Sequence, residues 1–161
     1  MSAELTRLHN GPDPGERPDG LLAALIVNCS GDAAVVLRWA KDVLTLVLQQ
    51  PDPSMISIER WRELLPDWFV RRCAPEITKE EAERRRLLPT KERIALAEHW
   101  SLGGWIYWFR PNERWWKWWD DEVTSPNVVR VRLVVPGFPY PSGAVEWLLA
   151  ASGASSIDKL D

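Results

Sequence analysis

Trp115-Trp116-Lys117-Trp118-Trp119-Asp120-Asp121-Glu122-Val123 and Val128-Val129-Arg130-Val131-Arg132-Leu133-Val134-Val135 are the two runs whose reading decides the fold. Both are rich in aromatic and β-branched residues, which suit a pleated, half-buried surface. Ser125-Pro126-Asn127 lies between them and supplies turn chemistry, so the pair predicts a β-hairpin. One register is self-consistent. It sets Val123 against Val129 and Trp119 against Leu133, and it also sets Glu122 against Arg130 and Asp120 against Arg132. A slip of one residue would break both charge pairs.

On a regular strand Trp115 and Trp119 point one way, and Trp116 and Trp118 the other. Three readings follow. In the first, helices cover both sides or one pair packs beneath a loop, and the indoles are core. In the second, one pair is exposed and joins Arg130 and Arg132 as an interaction surface, because Trp and Arg dominate binding hot spots. In the third, the indole faces form a stacking platform for a sugar or a base. Trp105 and Trp108, three apart on the preceding segment, extend either surface if that segment is helical.

Upstream, the period is that of helices. From Asp32 to Gln49 the polar residues Arg38, Lys41, Asp42, Thr45 and Gln49 form one narrow stripe on an otherwise apolar helix, which places it centrally in the core. Asp32 caps its start, and Pro51 and Pro53 end it. Ile58, Trp61 and Leu64 recur at helical spacing, and Pro66 opens a short helix reaching Cys73. Thr78 and Glu81 form a capping box, Thr90 caps a helix through His99, and Ser101 caps one through Phe109. The apolar run Leu21 to Asn28 suits a buried strand or a buried helix. Its Ala and Leu content favours helix. After the hairpin, Pro136 to Pro141 is a rigid turn, Ser142 caps a last helix, and Gly153 ends it.

The expected architecture is an α+β, mainly helical single domain with a Trp-rich β-hairpin near the C-terminus and a final helix. The polar, Pro- and Gly-bearing residues 1–19 read as a flexible leader, residues 20–154 as the globular domain, and residues 155–161 as a tail.

Composition narrows the function classes. A formal charge of -3 gives no basic excess of the kind nucleic-acid binders carry. Arg84 to Arg86 follow Glu80, Glu81 and Glu83, as on a solvated helix face. No stretch is long enough to cross a membrane. The run before Cys29 loosely resembles a lipoprotein signal, but Asn28 stands where a small residue is needed and the preceding stretch is acidic. Cys29 and Cys73 form no CxxC pair and read as reduced thiols of a cytoplasmic protein.

No Walker loop, GxGxxG, GxSxG or HExxH motif is present. A Cys73–His99 nucleophile pair oriented by Asp120 is one enzymatic option, and the acids Asp120, Asp121 and Glu122 are another as metal ligands. Consecutive acids on a strand alternate faces, so at most two converge, and pairing with Arg130 and Arg132 is the simpler role.

Leu65-Pro66-Asp67-Trp68-Phe69-Val70, Cys73-Ala74-Pro75-Glu76, Trp100-Ser101-Leu102, Trp105-Ile106-Tyr107-Trp108-Phe109 and Pro111-Asn112-Glu113-Arg114 precede the Trp run. Together these phrases resemble a group of small, Trp-rich, uncharacterised bacterial proteins. The resemblance covers roughly residues 60–153 and implies a shared stable fold, with no activity, cofactor or catalytic residue attached.

The functional expectation is a non-enzymatic interaction module. Its Trp/Arg hairpin surface, Trp115, Trp116, Trp118, Trp119, Arg130 and Arg132, extended by Trp105 and Trp108 of the preceding helix, meets an unidentified protein partner or its own copy. No cofactor, metal, nucleic acid or membrane is expected. A small-ligand domain stacking a sugar or planar ring on Trp is the alternative. An enzyme using Cys73 and His99, or Asp120 to Glu122, comes third.

Overall fold

The computed structural model describes residues 2–97 and 100–160. Among them are eight α-helices and one four-stranded antiparallel sheet, a mixed α+β single domain. In chain order the elements are α1 (Ala3–Asn10), β1 (Leu21–Cys29), α2 (Ala33–Leu48), α3 (Ile58–Leu64), α4 (Asp67–Arg72), α5 (Lys79–Arg86), α6 (Thr90–Ala97), α7 (Leu102–Tyr107), β2 (Lys117–Ser125), β3 (Val128–Val135), α8 (Gly143–Ser152) and β4 (Ala154–Leu160). The sheet order is β2-β3-β1-β4.

Several helix starts follow directly from local chemistry. Asp32 accepts from the Ala34 N–H, Thr78 from Glu81 N–H and Ser101 from Gly104 N–H, each satisfying a donor that the first turn leaves orphaned. Ser142 sits at the start of α8 but does not cap it. Its hydroxyl donates instead to Glu146 Oε2 at 2.5 Å.

Three expectations are corrected. The run Leu21 to Asn28, favoured as helix, is β1, the interior strand paired with β3 on one side and β4 on the other. Ala23, Leu25, Val27 and Cys29 face the core, while most of the alternate residues are half-buried. Pairing on both edges outweighs the weak helical preference of Leu and Ala. Residues 1–19 are not a detached leader, because α1 buries Leu5 and Leu8 in the core. Residues 155–161 are not a tail up to Leu160, because β4 pairs with β1 along Ala24 to Cys29. Gly153 makes that possible: at φ 125° it ends α8 and turns the chain straight into the strand.

The hairpin forms with Glu122 opposite Arg130, Asp120 opposite Arg132 and Val123 opposite Val129, as expected. The Trp end differs. Leu133 pairs with Trp118, not Trp119, because a bulge between Trp118 and Asp120 inserts one extra residue. The insertion resets the alternation, so both Trp118 and Trp119 are buried while Asp120 and Glu122 keep their arginine partners.

The core lies between one sheet face (Ala23, Leu25, Val27, Val129, Val131, Leu133) and helices α2 and α8. Beyond it a chain of rings in contact runs Trp39, Trp68, Phe69, Trp105, Phe109, Trp116. Its neighbouring centroids are 4.6–5.9 Å apart, within the range where aromatic pairs attract. This chain leads from α2 to the start of β2.

Candidate functional site

The tryptophans divide into buried, half-buried and exposed. Trp61, Trp105, Trp116, Trp118 and Trp119 are buried, and Trp115 is 51% exposed. A buried indole needs a partner for its N–H. Trp61 Nε1 donates to the Pro53 carbonyl at 2.9 Å, Trp105 Nε1 to the Ala144 carbonyl at 2.9 Å, and Trp118 Nε1 to Asp121 Oδ2 at 3.1 Å. Of the eight residues expected to form one surface, Trp105, Trp116, Trp118 and Trp119 are core. Arg130 and Arg132 pair with Glu122 and Asp120, and Trp115 is in the open. The expected indole surface on the hairpin does not form, because the bulge and α1 bury it.

Strand β2 is a sheet edge, and an unprotected edge invites pairing with other chains. Here α1 closes it. Glu4, itself buried, accepts from the Trp118 backbone N–H at 2.8 Å, and Arg7 Nε donates to the Trp118 carbonyl at 3.4 Å. Arg114 grips the Glu4 carboxylate with two bonds of 2.7 Å and donates a third to the Trp116 carbonyl. The Arg7 guanidinium lies 5.2 Å over the Trp119 ring and is paired with Glu16. Beside this cluster is a recess of about 530 Å³ reached by Arg17, Arg110 and Lys117. Its lining mixes charged groups, Arg7 and Glu4 among them, with the apolar Val47, Leu48, Phe109 and Trp119.

A second recess, of about 180 Å³, is walled by Trp100, Trp108 and Trp116, with Pro141, Gly143 and Ala144 closing it and Glu113 on its rim. Three separate segments build it. Trp100 is held by its own carbonyl, which accepts from the Ala74 N–H at 2.8 Å. Trp108 terminates α7 and packs edge-on against Tyr107, centroids 5.4 Å apart. Trp116 immediately precedes β2 and takes the Arg114 guanidinium 5.1 Å from its ring. Gly143 must lack a side chain, since a Cβ there would lie 2.9 Å from Trp100 Cζ2. Glu113 is half-buried at a turn, and its carboxylate has no hydrogen bond or ion pair with any described residue. Its carboxylate is a polar group in an otherwise mostly apolar lining. The sequence pointed to Trp108 and Trp116 but missed Trp100, Glu113 and Gly143, which are separated along the chain by successive intervals of 13 and 30 positions.

The enzymatic candidates fare differently. Glu122 and Asp120 are paired with Arg130 and Arg132, and Asp121 with Lys41 at 3.1 Å. No group of three or more His, Cys, Asp or Glu among the described residues is placed to hold a metal. His99 lies outside the described residues, so the Cys73–His99 geometry does too. The Cys73 thiol donates to the Phe69 carbonyl. Burial, with the nearby Glu76 carboxylate, pushes its pKa up to about 11, although Arg62 and Trp147 pull the other way. A thiol held protonated in this way is a poor nucleophile. Cys29 is likewise pushed up by burial.

No helix among the described residues is long and apolar enough to cross a membrane. No protein-family model matches the chain, and comparison with curated proteins and with solved structures likewise gives no match.

Proposed function

We propose that the chain is a non-enzymatic binding module of the cytoplasm that takes a small ligand, or a protruding side chain, into the recess between Trp100, Trp108 and Trp116. One observation carries the reading: three indoles and an unpaired carboxylate line the same concave, mostly apolar site, the pattern expected of a pocket with a few orienting polar groups. The cytoplasmic placement rests on two free thiols, Cys29 and Cys73. The test is a screen of planar aromatics, sugars and amines, read by the indole N–H signals of the labelled full chain. Binding should move the Trp100, Trp108 and Trp116 signals saturably, and Trp108→Ala should abolish the response. A flat screen sinks the proposal.

A second reading keeps the module's partner a protein. β4 is the other edge of the sheet, and Leu160 on it is half exposed. Pairing of β4 with the same strand of a second copy, centred on Ile157, would set Ser155 against Lys159 and bring no like charges together. Light scattering decides: a dimer that Ile157→Pro splits supports this reading, and a strict monomer at high concentration removes it.

A further inference from the structure

We infer that the recess is an aromatic cage for a methylated ammonium group, a trimethylammonium head above all. This rests on the binding-module reading above and names its ligand class.

Three features select the ligand. First, the half-buried indoles of Trp100 and Trp108 line the recess and the buried Trp116 backs it; indole π faces attract cations, Trp most strongly of the aromatic side chains. The Arg114 guanidinium, held by Glu4, already lies 5.1 Å from the Trp116 ring. Second, Glu113 places a carboxylate among the lining residues with no hydrogen bond or ion pair to any described residue. A neutral sugar or planar ring makes no use of it. Third, the recess offers almost no hydrogen-bond acceptors apart from that carboxylate. A primary ammonium or a small metal ion would give up several bonds to water and recover few. A nitrogen carrying three or four carbon substituents has few or no N–H groups to satisfy, and its charge is weakly hydrated. Size agrees: about 180 Å³ is the space of about six waters, each taking about 30 Å³, and a tetramethylated nitrogen has five heavy atoms.

The charged head can come from a free molecule such as choline or from a trimethylated lysine on a peptide, and both present the same chemistry.

The experiment titrates the labelled full chain with choline, with a short trimethyllysine peptide, and with 3,3-dimethyl-1-butanol. The last has the shape of choline without its charge. Sodium chloride at matched ionic strength is the blank. The expected result is saturable movement of the Trp100, Trp108 and Trp116 indole signals by choline or the peptide, with the neutral isostere about tenfold weaker or worse. Tenfold corresponds to about 1.4 kcal/mol, within the range of a desolvated cation–π contact. The tighter of the two cationic probes names the source. Glu113→Gln should weaken the cation several-fold and leave the isostere unchanged. Gly143→Ala should displace Trp100 and weaken both. If the isostere binds as well as choline, or if Glu113→Gln changes nothing, the cage inference is overturned while the binding-module reading stands. If neither cationic probe moves these signals but a neutral aromatic does, the cage is again overturned and the module again stands. If nothing in the screen moves them, both fall.

Discussion

Two ends of the same Trp-rich stretch use the same residue type in opposite ways. Around Trp118 and Trp119 three charged groups are paired: Glu4 answers Arg114 and a backbone N–H, Arg7 answers Glu16 and a carbonyl, and Asp121 answers Lys41 and an indole. Around Trp100, Trp108 and Trp116 the indoles line an open recess and the Glu113 carboxylate is left over. A satisfied cluster contributes to stability and offers nothing to a ligand. An unsatisfied charge beside apolar walls contributes little to stability and much to recognition. Tryptophan content alone therefore does not mark a site. The pairing of the polar groups around it does.

That contrast can be broken by mutation. Trp118→Ala removes a fully buried indole and should cost about 4 kcal/mol of unfolding free energy in a urea titration. A loss under about 1 kcal/mol would mean the hairpin end is not part of the core. Glu4→Ala strips Arg114 and the Trp118 N–H of their acceptor at once. Because it leaves a largely buried cation unpaired, it should cost about 3 kcal/mol, against the roughly 0–1 kcal/mol of an ordinary surface pair. If it proves neutral, α1 is not a working edge cover. Glu113→Gln, by contrast, should leave stability within about 0.5 kcal/mol, since its carboxylate supports no described contact. A large loss there would erase the distinction between the two ends.

The smallest effect expected concerns Cys73, one residue before the Ala74 that anchors Trp100. Its raised pKa means the reactive thiolate stays scarce until about pH 11. Alkylation by iodoacetamide should be slow at about pH 8 and climb about tenfold per pH unit through about pH 10. A plateau near about pH 8.5 would show an ordinary thiol, and would reopen a chemical role for it near the recess.

Much of the local structure was legible because its causes are local. The caps Asp32, Thr78 and Ser101, the Pro and Gly stops, and the Glu122–Arg130 and Asp120–Arg132 pairs depend on residues a few positions apart or on a register set by charge. The α+β class followed from the switch between helical and strand periods. The errors share one cause. The Leu21 run has the composition of a helix, yet it is flanked by strands that lie a hundred residues or more downstream. Residues 1–19 look like a leader because their turn residues outnumber their apolar ones. The two leucines of α1 matter only because the edge of β2 is there to receive Glu4 and Arg7.

By itself, then, the sequence determined most of the helical segments after residue 32, where several of them begin, and that residues 117–135 pair as a hairpin. Only the tertiary structure decided which indoles are core and which line a recess. A bulge of one residue reverses the face that a tryptophan presents, and an N-terminal helix covers one end of the run. The free carboxylate of Glu113 meets Trp100 across a dozen intervening residues, and no spacing rule encodes that meeting.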